Sequence, residues 1–120
     1  MNEVKLMVES LDQFFDGAST AARRIDRGDT KQQAAQISFE SMELLLKVLT
    51  PNRWVLLRKL RAIGASSIRG LAHGLGRDYR GVHADVTALR EVGLIERRAD
   101  GKVLVPWSRI VAEMSVDIAA

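Results

Sequence analysis

A predicted helix with clear start and stop signals, in the middle of the chain, is the sequence feature that most restricts which folds this chain can adopt. Thr50-Pro51 predicts a helix start, because a threonine hydroxyl accepts hydrogen bonds from first-turn amides and proline has no amide hydrogen to leave unpaired. Gly64 predicts the end of that helix, since glycine readily adopts the backbone angles found just beyond a helix terminus. Residues 51–64 are therefore predicted to form one helix with a defined start and stop.

Two further helices follow with similar boundaries. Ser66 or Ser67 caps the first, which ends at Gly76, and Asp78 caps the second, which runs to about Val92. Apolar spacing gives each helix one buried face. The residues predicted to face inward are Met42, Leu45, Leu46 and Leu49 of a short preceding helix, then Trp54, Val55, Leu57, Leu60, Ile63, Ile68, Leu71, Ala72, Leu75, Val82, Val86 and Leu89.

Two short β-capable runs after the third helix surround an Asp-Gly pair. Residues 94–98 and 103–105 flank Asp100-Gly101, and Asp-Gly tolerates the positive φ angles of a tight hairpin turn. The order helix, helix, turn, helix and hairpin is that of a winged helix-turn-helix. We therefore predict a mainly α fold with a small β wing, an α+β class, in which residues 94–105 are the wing.

The two ends of the chain are less regular. Residues 4–8 suit either a strand or a helix start, residues 10–27 are predicted to be a helix, and residues 29–37 a linker. Residues 36–40 suit a short strand or a turn, and alternation at Val116 and Ile118 makes a final strand plausible. The predicted domains are an N-terminal strand and helix arm (1–37), the winged domain (38–107) and a C-terminal tail (108–120).

Charge is distributed unevenly along the chain. Residues 1–50 carry a net charge of −2, residues 51–109 carry +7 and residues 110–120 carry −2. A cationic middle between acidic ends is typical of a nucleic-acid-binding module with a separate oligomerisation or partner surface. The prediction is a protein that binds double-stranded DNA through the cationic part.

The outward face of the third helix is predicted to contact bases. With its apolar stripe inward, a helix placed in the major groove presents the opposite side chains to base edges. Residues expected there are Tyr79, Arg80, His83, Ala84 and Thr87. Phosphate contacts are expected from the start of the preceding helix, from the turn and from the wing. These residues are Ser66, Ser67, Arg69, Arg77, Arg97, Arg98 and Lys102. Asp85 is expected off this face, paired with an arginine such as Arg69 or Arg58.

The acidic N-terminal third holds apolar side chains that it cannot bury alone. We expect residues 4–27, with 108–118 as a further candidate, to build a two-fold homodimer or to bind a partner protein. The predicted interface residues are Leu6, Val8, Leu11, Phe14, Phe15 and Ile25. A protein-interaction module therefore stays open beside DNA binding, as does RNA binding, for which Tyr79 is the main candidate for base stacking.

The sequence contains no pattern that would indicate a metalloprotein, an enzyme or a membrane protein. The chain has no cysteine, and its two histidines are not spaced for zinc, so neither a metal nor a cofactor is expected. It has no glycine-rich phosphate loop and no arranged nucleophile, so we expect no enzyme. Its apolar runs are too short to cross a bilayer, and the N-terminus does not read as a secretory signal. The expected location is the cytoplasm.

The region from Phe39 to Val105 resembles a known family. Its segments FESMELLLKVLTPNRWVLLRKL, IRGLAHGLGRDYRGVHADVTALREVGLIE and DGKVLVP are similar to the predicted MarR-like winged-helix transcriptional regulators of archaea and bacteria. The resemblance implies a prokaryotic, homodimeric, DNA-binding regulator with residues 78–92 as the recognition helix. It implies base contacts from Tyr79, Arg80, His83 and Thr87, and a wing that contains Arg97, Arg98 and Lys102.

This resemblance leaves one alternative open and shows one departure. Some relatives are encoded beside toxin-like genes, so an antitoxin that binds a toxin protein and autoregulates its operon is the alternative function. Gly81 and Ala84 stand where relatives would be expected to carry longer polar residues. That departure bears on the sequence specificity of the helix.

Overall fold

The computed structural model describes residues 2–9, 35–116 and 118. Its helices are α1 (Met42–Val48), α2 (Pro51–Ile63), α3 (Ile68–Leu75) and α4 (Tyr79–Glu91). Its strands are β1 (Glu3–Val8), β2 (Ala35–Phe39), β3 (Glu96–Arg97), β4 (Val103–Leu104) and β5 (Arg109–Ala112). The predicted α+β class is confirmed, whereas the helix predicted over 10–27 lies outside the described residues. No helix within them is long and apolar enough to cross a membrane.

The predicted helix starts are confirmed by side-chain caps. The Thr50 hydroxyl accepts from the Arg53 amide at 3.3 Å, and Pro51 is the first residue of α2. Ser67 accepts from the Gly70 amide at 3.0 Å at the start of α3. Asp78 accepts from the Gly81 amide at 3.0 Å at the start of α4. Each cap satisfies an amide that the helix itself leaves without a partner.

The buried stripe of α2 differs from the prediction. Leu56, Leu57 and Leu60 are the buried residues of this helix. Trp54, Val55 and Ile63 were predicted to face inward, but they are exposed. The buried side of α2 is thus centred on Leu56, Leu57 and Leu60, which belong to the common core cluster. The prediction for Leu46 on α1 is also wrong, since Leu46 is exposed and Leu45 is the buried residue of that helix.

The core joins the helices to a three-stranded parallel sheet of order β2-β1-β5. Val4 pairs with Ala35 on β2 and with Ile110 on β5. Val4 and Leu6 are fully buried in the same hydrophobic cluster as the helices. The prediction that Leu6 contacts a second subunit is therefore wrong. Val8 is partly buried against that cluster, and Leu11, Phe14, Phe15 and Ile25 lie outside the described residues.

The sheet also corrects the boundaries of the irregular segments. The predicted linker over 29–37 is wrong for residues 35–37, which belong to β2. A strand after residue 108 is confirmed, but it lies at 109–112, and Val116 and Ile118 are exposed beyond it. Pairing with β1 fixes both boundaries, and such a long-range contact leaves little trace in local periodicity.

The predicted hairpin is confirmed as the antiparallel pair β3–β4. Glu96 pairs with Leu104 and Arg97 with Val103, while Gly101 adopts a φ of 87° in the turn. Ser66 and Val103 form an isolated antiparallel bridge through backbone hydrogen bonds of 3.0 and 2.8 Å. The hairpin is thereby fixed to the segment that begins α3.

Substitution by alanine is expected to have opposite effects on stability at two glycines near the end of α3. Gly76 adopts a left-handed φ of 65°, whereas Gly74 lies inside α3, where an added Cβ would meet only the flexible end of Lys59 at 3.3 Å. Gly76→Ala should destabilise the fold by about 1–2 kcal/mol, because an L side chain is strained in that conformation. Gly74→Ala should be neutral or stabilising by about 0.5–1 kcal/mol. Urea denaturation of both variants tests this, and equal effects would contradict it.

Candidate nucleic-acid interface

A groove of about 440 Å³ lies between the start of α3, the exposed side of α4 and the β3–β4 hairpin. The three elements converge because the Ser66–Val103 bridge holds the hairpin beside α3 and the Asp78 cap sets the direction of α4. The residues lining the groove are Ser67, Ile68, Arg69, Tyr79, His83, Val86, Thr87, Arg90, Arg97, Gly101 and Val103. We call this surface the α4 groove.

The α4 groove brings together many of the predicted contact residues. Tyr79, His83 and Thr87 line it from α4, Ser67 and Arg69 from α3, and Arg97 from the hairpin. Arg80 and Ala84 are exposed on α4 but lie outside the groove lining. Both therefore remain available on the outer surface of the helix. Ser66 is only partly exposed, and its hydroxyl donates to the Ser67 carbonyl at 2.9 Å.

An aromatic and cationic stack connects α3 to the start of α4. The Arg69 guanidinium lies 4.9 Å from the centre of the Tyr79 ring, a cation–π distance. The Tyr79 and His83 rings are 5.7 Å apart and tilted by 46°. Arg69 is thereby held over α4, so its charge stands at one end of the α4 groove.

The lining of the α4 groove carries positive charge and no carboxylate. Arg69, Arg90 and Arg97 belong to it, and no aspartate or glutamate does. Concave surfaces of one sign concentrate counter-charged ligands, so this surface suits a polyanion such as a nucleic acid backbone. Sequence reasoning missed Arg90. Its position seven residues after His83 and three after Thr87 places it on the same helical face, and that spacing was the available signal.

The tip of the β3–β4 hairpin contains an aspartate, Asp100, among its basic residues. Asp100 pairs with Arg98 at 2.6 Å and accepts from the Lys102 amide at 3.0 Å. The Lys102 hydrogen bond, aided by the Arg98 charge, holds the pKa of Asp100 below its ordinary value. The ionised Asp100 carboxylate stabilises the turn. This stabilisation is fully present above the ordinary carboxyl pKa and is lost as pH falls through the lowered pKa of Asp100. Arg98 and Lys102 are exposed, but Arg98 is already paired within the chain.

Asp85 lies outside the α4 groove and pairs with arginines, as predicted, but its partners are not the two arginines named as examples. Asp85 pairs with Arg53 at 3.0 Å and with Arg77 at 2.8 Å, and not with Arg69 or Arg58. Arg53 also donates to the Val48 carbonyl at 3.1 Å, so this cluster joins the end of α1, the start of α2, the α3–α4 turn and α4. Helix crossing, which the sequence does not reveal, brings these charges together. Arg77, for which a phosphate contact stays a prediction, is paired with Asp85 in the free chain and so helps to position α4.

The two histidines lie apart from each other in the structure. His83 lines the α4 groove, whereas His73 is exposed near the end of α3. Across residues 2–9, 35–116 and 118, no group of three or more His, Asp or Glu side chains is arranged to hold a metal ion. The polar chemistry that the α4 groove offers is therefore hydrogen bonding and positive charge from its hydroxyl, imidazole and guanidinium groups.

Comparison with protein-family models identifies a family. The family model HVO_A0114 matches residues 48–112, from the end of α1 through β5, which includes every residue of the α4 groove. No curated protein and no solved structure gives a significant match. The matched region is more than half of the 120 residues. The chain belongs to the HVO_A0114 family.

Proposed function

We propose that this protein is a sequence-specific regulator of transcription that binds double-stranded DNA as a homodimer, in the manner of a MarR-like winged helix-turn-helix. The single observation that carries the proposal is the α4 groove, whose lining contains three arginines and no carboxylate. The order α2, α3, turn, α4 and β3–β4 hairpin supports it, because that order matches the helices and wing of such proteins.

In this proposal α4 enters the major groove and reads bases. Arg80 and Ala84 on its exposed surface approach the base edges, with Arg80 able to contact a guanine with two hydrogen bonds. Tyr79, His83 and Thr87 flank that line on the side of the α4 groove. A helix fits the B-DNA major groove side-on, so the exposed side of α4 and not its end makes the contact.

The surrounding cations contact the DNA backbone. The wing, residues 94–105, presents Arg97 and Lys102, while Arg90 lies on α4 and Arg69 on α3 beside the start of α4. Phosphate contacts fix the register of the protein on the duplex, and the base contacts then determine sequence preference. Two copies read two half-sites of an inverted repeat. The bound dimer acts as a repressor by blocking access of polymerase to the promoter.

Duplex binding with a salt series tests the proposal. Affinity for a mixed-sequence duplex should fall steeply and linearly on a log–log plot as salt rises, because phosphate contacts release counterions. A single-stranded RNA of equal length should compete poorly, since Tyr79, the one Phe, Tyr or Trp side chain among the described residues that line the α4 groove, already has the Arg69 guanidinium over its ring. Binding to neither nucleic acid would overturn the proposal, and stronger binding to the RNA would reassign it.

Replacement of Arg80 separates base reading from backbone contact. Arg80→Ala should cost about 1–3 kcal/mol on the preferred duplex and should relax preference at one position of each half-site. Binding of the wild type and the variant to a set of duplexes, each with one base pair changed, measures both effects. An equal loss on every duplex would make Arg80 a phosphate contact and would contradict its role in base reading.

A further inference from the structure

The strand β5 has one edge without a partner in the described parts of the chain. The sheet order β2-β1-β5 places β5 at its border. The amides of Arg109 and Glu113 donate to the carbonyls of Asn2 and Leu6, at 3.3 and 3.0 Å. Backbone groups alternate in direction along a strand, so those of Ile110 and Ala112 face away from β1. An open edge of this kind is a template for another strand.

A groove of about 350 Å³ lies beside this edge, between α2 and residues 105–110. Its surface is mostly apolar, although Arg58, Arg61 and Arg109 also line it. Trp54, Trp107 and Ile110 are among its lining residues, and Trp54 is 38% exposed. The segment after β5 also exposes apolar side chains, at Met114, Val116 and Ile118. The chain therefore carries both an apolar groove and an apolar extended segment that no described residue covers.

The position of the groove favours a second copy over the same chain as its occupant. The groove borders the start of β5, whereas the apolar segment leaves the far end of that strand. When two β5 strands pair antiparallel, the far end of one lies beside the start of the other. We propose that two copies of this chain pair through their β5 edges about a two-fold axis, with the segment of each copy that carries Met114 and Val116 entering the Trp54–Trp107 groove of the other.

Charge fixes the register of this pairing. Ile110 and Ala112 present the free backbone groups, and alignment of Val111 with Val111 of the second copy brings each Ile110 opposite an Ala112. The same register places each Arg109 directly opposite Glu113 of the other copy. Shifting the register by two residues would place Arg109 opposite Val111 or Ser115. Opposite charges that face each other across strands are stabilising, so we assign the first register.

Within one chain, the ion pairs of Arg109 and Glu113 are long and exposed. Arg109 lies 3.8 Å from Glu3, and Glu113 lies 3.5 Å from Lys5, with all four side chains at least 43% exposed. Such exposed pairs contribute little to folding, so Arg109 and Glu113 are free to engage a second copy. The result is a continuous six-stranded sheet. This assembly does not depend on DNA binding, and it replaces the N-terminal residue Leu6 as the contact between copies.

Single cysteines test the register directly, because the chain has none of its own. In the proposed pairing, the two Val111 residues form a non-hydrogen-bonded pair with Cα atoms about 4.5 Å apart, which fits a disulfide. Two Arg109 residues lie about 14 Å apart along the strands, which is too far. Mild oxidation should convert most of Val111→Cys to a covalent dimer and little of Arg109→Cys. Failure of Val111→Cys to cross-link, or equal cross-linking of both, would overturn the proposal.

A charge exchange tests the same contact in solution without oxidation. Arg109→Glu should weaken the dimer at least tenfold by light scattering over a concentration series, and Arg109→Glu with Glu113→Arg should restore it. Within one chain the double exchange sets like charges beside Glu3 and Lys5, so only the contact between copies explains recovery. A monomeric wild type at micromolar concentration, or no recovery, would overturn the proposal. Duplex binding is measured separately, so a dimer that binds no DNA would contradict the proposed function alone.

Discussion

Replacing Arg90 and Arg97 together with alanine is expected to weaken binding to duplex DNA at least about 100-fold near physiological salt. Both side chains line the α4 groove, one on α4 and one on the hairpin. Charge-assisted contacts contribute about 1.5–3 kcal/mol each, and about 1.4 kcal/mol corresponds to a factor of ten in affinity. The slope of log affinity against log salt should become shallower by about 1.8 per chain, since each phosphate contact contributes about 0.9.

A matched variant separates this effect from the loss of net charge. Lys47→Ala with Lys59→Ala also removes two positive charges, from exposed positions outside the α4 groove. Its salt slope should stay close to that of the wild type. Fluorescence anisotropy at several salt concentrations measures all three proteins. Equal changes in both double variants would show that overall charge, and not the α4 groove, determines binding.

Asp85→Ala is expected to cause the largest loss of stability among single changes at charged residues. Asp85 is 14% exposed, and its removal leaves Arg53 and Arg77, 19% and 27% exposed, without their carboxylate. Breaking a fully buried ion pair costs about 3–5 kcal/mol, and the partial exposure here reduces our expectation to about 2 kcal/mol. The melting temperature should fall by about 8 °C for a chain of this size.

The control for Asp85 is an acid that also pairs with arginine but lies in solvent. Asp100→Ala removes the partner of Arg98 at the hairpin tip, where both side chains are at least 42% exposed. Its melting temperature should change much less, because exposed pairs contribute little. Calorimetry of both variants measures the difference. Similar shifts would contradict the role of Asp85 in fixing α4 against α1, α2 and the α3–α4 turn.

The elements that local chemistry determines could be predicted from the sequence. Thr50-Pro51, Ser67 and Asp78 mark helix starts because each acts within one helical turn, and Asp100-Gly101 marks a hairpin for the same reason. The inward face of α4 was also correct, since its apolar residues repeat at one helical spacing. Much of the α4 groove followed from these elements, because its residues lie near caps and turns.

Long-range contacts account for what the sequence did not reveal. Leu6 and Ile110 belong to strands that pair across about a hundred intervening residues, so the core role of Leu6 leaves no local signal. The partners of Asp85 depend on how α2 and α4 cross, and Arg53 is 32 residues away. Trp54 was assigned to the core by its spacing, yet it lies exposed beside the groove that borders β5.

Selection of bound duplexes from a random DNA pool at about 150 mM salt tests the central claim most directly. The wild-type protein should recover an inverted repeat whose half-sites are about one helical turn apart, or a multiple of it, as expected for two α4 helices on one face of the duplex. Arg80→Ala should fail to recover the same motif. Recovery of no motif by the wild-type protein, with or without salt-sensitive binding, would contradict sequence-specific regulation.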